Sequence, residues 1–194
     1  YRDVLIRNLK ADLLAFGEVI NCEKSNLLEL FAKGQGHCNV ILTDGLPADK
    51  ASLLASLCLT WLYEYRRVHL DLQKDVLMCV LDDSMALLRK NSSDQTEGTT
   101  INPLNTIAFM GRSLGIGLLP SVQNFSQLSD FYALNCDTIV VCGSYGEDLF
   151  QLSRLMHLTD EQAAYVSQMR PGEVAVLARS VWPKCVVGQY PRIT

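Results

Sequence analysis

Short apolar runs alternate along this chain with segments of helical periodicity, and that alternation restricts it to an α/β arrangement. The runs are CNVILTD (38–44), DVLMCVLDD (75–83), GIGLLPSVQ (115–123) and DTIVVCG (137–143). They are too short to span a membrane and largely apolar on both alternating faces, which predicts buried parallel strands in a sheet covered by helices on both sides. The helices follow from spacing: a long pattern from Ala48 to about His69, a segment over 103–114 opening with Asn102 as N-cap and Pro103 in the first turn, then SQLSDFYAL, EDLFQLSRLM and DEQAAYVSQM. Two shorter helices are expected over 1–16 and 26–33, and the polar stretch NSSDQTEGTT (91–100) reads as a loop. At the end, GEVAVLAR and PKCVVGQYP are separated by only a few residues, which predicts a closing β-ribbon at the sheet edge.

With 194 residues and 48% hydrophobic content, the chain is long enough for one domain with a sizeable core. A formal net charge of −4 supplies no general basic field, so nucleic acid would have to meet a local cluster. Arg66, Arg67, Arg89 and Lys90 are the candidates, and each also fits a solvated helix end. The seven cysteines are odd in number, lie mostly in apolar runs and form no CxxC pair, which is the pattern of buried thiols in a reducing cytoplasm. His37, His69 and His157 are too far apart in sequence to suggest a zinc site. Neither a spanning helix nor a signal peptide is expected, so the localisation read from the sequence is cytoplasmic, with a peripheral position at the inner face of the membrane left open.

The chemistry is expected at the carboxyl ends of the strands. DVLMCVLDD ends in Asp82 and Asp83, the form of a Walker B element, in which one carboxylate holds the Mg²⁺ shell and the next handles the attacking water; a solvated Asp pair or a helix N-cap gives the same pattern. Gln123 ends the next predicted strand, where an amide could sense a γ-phosphate or serve as an ordinary polar loop residue. Arg112, in MGRSLGIG, suits either an arginine finger or compensation of a helix dipole.

As an ordered set, NVILTDGLP, VLMCVLDDSMALL, NPLNTIAFMGRSLGIGLLPSVQNFSQLS, TIVVCGSYGEDLFQL and LTDEQAAYVSQMRPGEVAVLAR resemble the C-terminal two-thirds of the motor domain of the HerA/FtsK superfamily. The likeness is greatest to the HerA-like and conjugative-transfer (type IV secretion) ATPases and runs from about Leu30 onward. It implies a RecA-like fold lacking the P-loop strand, with residues 1–194 as one domain. It also implies ATP and Mg²⁺ as cofactors, a hexameric ring, DNA as partner and a secretion-system or membrane partner as a further one. By motif, Asp82 matches the Mg²⁺-associated acid, acting through water, Asp83 the catalytic acid, Gln123 the sensor glutamine and Arg112 the finger that acts across the subunit interface.

Two departures qualify that expectation. The family usually has glutamate where this chain has Asp83, and displacing a reacting group by ~1 Å can cost ~100-fold in rate. No GxxxxGK[ST] occurs, because GQG at Gly34–Gly36 lacks both the spacing and the Lys-Ser/Thr pair that cradle phosphates. The expected reading is a fragment of an ATP-dependent DNA translocase or conjugative-transfer ATPase, inactive by itself while its parent is an ATPase. The alternative is a non-catalytic, degenerate module of the same fold that assembles with a secretion or DNA-processing machine.

Overall fold

A computed structural model of the chain describes residues 38–88 and 103–190. The helices expected over 1–16 and 26–33, the glycines at 34–36, Arg89, Lys90 and the loop at 91–100 lie outside the described residues. In chain order the elements are α1 (Ala48–Val68), β1 (Leu77–Leu81), α2 (Met85–Leu88), α3 (Pro103–Met110), β2 (Ile116–Pro120), α4 (Asp130–Asn135), β3 (Thr138–Val141), α5 (Gly146–Met156), α6 (Asp160–Ser167), β4 (Glu173–Ala178) and β5 (Trp182–Gln189). Short 3-10 turns occupy Leu70–Lys74, Gly111–Leu114 and Phe125–Gln127. The described residues fall into two compact units, one of residues 38–81 and 103–119, the other of 82–88 and 120–190.

In the first unit, α1 has no glycine or proline inside it, and Pro47 opens it by accepting from the amides of Lys50 and Ala51, both at 2.9 Å. Leu59, Leu62 and Arg66 lie at helical spacing on its buried face, and α1 packs against α3, whose Leu104 and Ile107 are each 1% exposed. β1 and β2 form a parallel pair, with the Leu77 amide donating to the Gly115 carbonyl at 2.8 Å where the two strands begin. Gly115 sits at φ +68°, and a Cβ there would come within 2.7 Å of the carbonyl oxygens of Asp75 and Gln73, so glycine is required on both counts.

Arg66 is an internal clamp. It is 4% exposed, and its Nη1 is shared among the carbonyl oxygens of Leu72 (2.8 Å), Asp75 (2.5 Å), Leu114 (3.2 Å) and Gly115 (3.3 Å). Burial pulls its pKa below the ordinary arginine value, with Asp75 and then Cys79 acting in the opposite direction. Arg66 therefore leaves the set of basic residues available to nucleic acid. Arg67 stays on the surface, where its guanidinium grips Glu64 at 2.6 and 2.9 Å.

In the second unit, β3, β4 and β5 form an antiparallel sheet in that order, with Val140 opposite Val176 and Ala175 opposite Val187. α5 and α6 supply the core against it: Leu152, Met156 and Val166 cluster with Val141, Ala175, Leu177 and Cys185. α6 begins with a capping box, in which the Thr159 hydroxyl accepts from the Gln162 amide while the Gln162 side chain accepts from the Thr159 amide.

The α/β class and the closing ribbon agree with the sequence reading. Two details differ. CNVILTD forms no strand among the described residues, and Val40 and Leu42 are 75% and 77% exposed; an apolar run becomes a strand only where a neighbouring edge completes its ladder. β3 pairs antiparallel with β4, so among the described residues the parallel arrangement is confined to β1 and β2. No helix among the described residues is long and apolar enough to cross a membrane.

The cysteines are less uniformly buried than their apolar neighbours suggested, since Cys38 and Cys142 are exposed while Cys185 is buried. Burial pushes the Cys79 thiol up to about 11, with Arg66 acting in the opposite direction. At pH 8 it is then ionised in only about one molecule in a thousand. Iodoacetamide followed by peptide mass spectrometry is expected to find Cys38 and Cys142 modified first and Cys79 only after unfolding. Modification of Cys79 as fast as Cys142 in the folded chain would contradict this placement.

Candidate functional site

β1 ends at Leu81 and the chain enters a turn, Asp82–Ser84, before α2. The turn is held from the residue that follows β2. Ser84, 2% exposed, donates through both its amide (3.0 Å) and its hydroxyl (2.9 Å) to the Ser121 carbonyl. The Ser121 hydroxyl in turn donates to Asp82 Oδ1 at 2.8 Å and accepts from the Asp83 amide at 3.0 Å. That amide also reaches Asp82 Oδ1 at 3.0 Å. Pro120, the last residue of β2, has no N–H to extend the ladder, which suits the chain's change of role at Ser121.

Asp83 stands at φ +46°, a left-handed conformation that aspartate adopts more readily than most residues because its short side chain can hydrogen-bond locally. This gives a local reason for aspartate at position 83, where the sequence resemblance led to an expectation of glutamate. Gln123 reaches back 40 positions in sequence to place its Nε2 3.3 Å from Asp83 Oδ1. The structure thus brings Asp82, Asp83 and Gln123 together, all with exposed side chains, and adds Ser121, which the sequence reading did not single out. Its only signal was the Ser-Val-Gln strand end, and spacing alone cannot tell a hydroxyl that bonds across to a neighbouring turn from one facing water. Arg112 lies in the first unit, exposed within the 3-10 turn Gly111–Leu114.

The donor set suits Mg²⁺ in the mode that relies on phosphates and water for the remaining ligands. Mg²⁺ takes hard oxygen donors and commonly only one or two protein carboxylates. Here Asp82 commits Oδ1 to two hydrogen bonds, while its Oδ2 makes none among the described residues. No cluster of three or more His, Cys, Asp or Glu that could form an all-protein cage occurs among those residues. Elsewhere in the second unit, a groove of about 660 Å³ is lined by residues including Phe125, Leu134, Phe150, Arg154 and Arg179, and neither acid nor Gln123 lines it.

No family model and no curated protein matches the chain. Solved structures do. The genome packaging NTPase B204 from Sulfolobus turreted icosahedral virus 2, in complex with AMP, aligns over 88% of this chain and 73% of its own length, with 13% identity and a TM-score of 0.56. In complex with sulfate the same NTPase aligns over 88% and 74%, with 12% identity and a TM-score of 0.58. VirB4 of Thermoanaerobacter pseudethanolicus aligns over 73% of this chain and 38% of its own, with 12% identity and a TM-score of 0.53. The chain shares the fold of B204 and VirB4, and the α/β fold expected from its sequence resemblance is the one observed.

Proposed function

We propose that the Asp82–Ser84 turn with Gln123 is the water-handling half of an ATP-hydrolysis site, in a subunit of an oligomeric motor that moves DNA. The observation that carries this reading is the convergence of two strand-end carboxylates and a distant glutamine amide at one exposed turn. In this reading Asp82 holds the Mg²⁺ shell through water, and Asp83 takes the proton of the attacking water. Gln123, already within reach of Asp83, reports the state of the γ-phosphate, and Arg112 serves a neighbour's nucleotide. Mg²⁺, when bound, would neutralise charge on the β- and γ-phosphates. The 194 residues contain no GxxxxGK[ST], so the phosphate cradle is assigned to polypeptide outside them. A hexameric ring and a peripheral position at a membrane-bound secretion machine belong to the same proposal.

The missing phosphate motif also favours a second reading, a non-catalytic module that keeps the fold for assembly. The full-length product of the gene separates the two. On the first reading it hydrolyses ATP, and Asp82→Asn and Asp83→Asn each lower kcat by about 100-fold or more, the usual worth of a positioned acid or base. The 194-residue chain alone neither hydrolyses ATP nor binds it at micromolar concentration. Absence of turnover in the full-length product selects the assembly module, and turnover indifferent to both substitutions removes the acids from the site.

A further inference from the structure

We infer that Ser121 is the positioning residue of the acidic turn: its hydroxyl orients Asp82 and Asp83 at once, while its carbonyl separately holds the turn in the fold. The inference rests on the hydrolysis reading above. A hydroxyl has one proton to give and lone pairs to accept with, and Ser121 uses both capacities on the same pair of residues. The proton goes to Asp82 Oδ1 at 2.8 Å, and an oxygen lone pair receives the Asp83 amide at 3.0 Å. Donating to Oδ1 fixes the plane of the Asp82 carboxylate and so the direction in which Oδ2 faces. Accepting from the amide supports Asp83 at φ +46°, a conformation that an L-residue holds only where its surroundings compensate. Gln123 completes the restraint by donating to the Asp83 carboxylate itself at 3.3 Å.

The two halves of Ser121 do separable work. Both contacts with Ser84, from its amide and from its hydroxyl, end on the Ser121 carbonyl oxygen, which any residue at position 121 retains. The hydroxyl's contacts, by contrast, all go to the two acids among the described residues. Ser121→Ala should therefore misplace the acids without loosening the attachment of the turn, and Ser121→Thr should restore them.

Two measurements test this. In the 194-residue chain, amide hydrogen exchange by NMR should show Asp83 exchanging about fivefold faster in Ser121→Ala, because the amide loses Ser121 Oγ and its other acceptor, Asp82 Oδ1, loses the hydroxyl that holds that carboxylate in place. Ser84 and the thermal midpoint should stay unchanged, and Ser121→Thr should match the parent. In the full-length product, Ser121→Ala should lower kcat by about 10- to 100-fold with KM for ATP little changed, the expected scale for reacting groups misplaced by ~1 Å, and Ser121→Thr should recover most of it. If Asp83 exchange is unaltered, or kcat stays within twofold of the parent although Asp82→Asn and Asp83→Asn are inactive, the role assigned to Ser121 is wrong and the hydrolysis reading survives. If those two aspartate variants keep full turnover, the hydrolysis reading itself fails, and the exchange measurement still decides whether Ser121 sets the geometry of the turn.

Discussion

Replacing Arg66 by methionine is expected to cost the fold about 2–3 kcal/mol, the scale for losing a charged hydrogen-bond donor and leaving its buried acceptors unsatisfied. Methionine fills much of the same volume, so the loss isolates the donors from the stem. What remains are the carbonyl oxygens of Leu72, Asp75, Leu114 and Gly115, deprived of the cation that now gathers them. Gly115 shows how tightly the site is built, since even a Cβ there would stand 2.9 Å from Arg66 Nη1. For a chain of this length the penalty corresponds to a fall in Tm of roughly 5–10 °C. Arg67→Met is the matched control, because Arg67 is a surface partner of Glu64 and should leave the midpoint unmoved. Thermal unfolding followed by circular dichroism reads both. Equal midpoints for the two variants would mean that Arg66 does not organise the packing of α1 against the strand starts.

The largest effect on activity is expected at Arg112. An arginine finger is worth about 10³- to 10⁵-fold in kcat because it stabilises charge that develops only in the transition state. Arg112→Ala in the full-length product should therefore abolish turnover while leaving ATP binding by each subunit nearly intact. A finger that acts across an interface has a further signature. Subunits carrying Arg112→Ala, mixed with subunits carrying Asp82→Asn and Asp83→Asn, should regain partial activity, because some mixed interfaces join an intact acidic turn to an intact arginine. Each variant alone should be inactive. The exposed position of Arg112 in its 3-10 turn leaves the guanidinium accessible to such a partner. If mixed rings form and stay inactive, or if Arg112→Ala alone keeps parental turnover, Arg112 is a helix-end cation and the finger must be sought elsewhere.

Periodicity and turn residues placed several of the described elements. The run that ends in Asp82 and Asp83 becomes β1, the 48–69 pattern becomes α1 to within one residue, and the closing ribbon pairs as β4 with β5. These features are local: the spacing of apolar residues, a proline at a helix start and a strand too short for anything else act within one segment, so the sequence carries them directly. The ordered motifs also led to the fold shared with B204 and VirB4. Tertiary structure decided what depends on a partner distant in the chain. CNVILTD has the composition of a strand and forms none among the described residues, because a ladder needs a second edge. β3 pairs antiparallel with a strand over thirty residues later, which its own apolar pattern could not specify. Arg66 looked like a solvated cation beside Arg67, and became an anchor because Leu72, Asp75, Leu114 and Gly115 converge on it. Ser121 likewise acquired its two acidic partners only when the residue after β2 came to lie beside the turn after β1, a neighbourhood made by strand pairing and invisible to spacing.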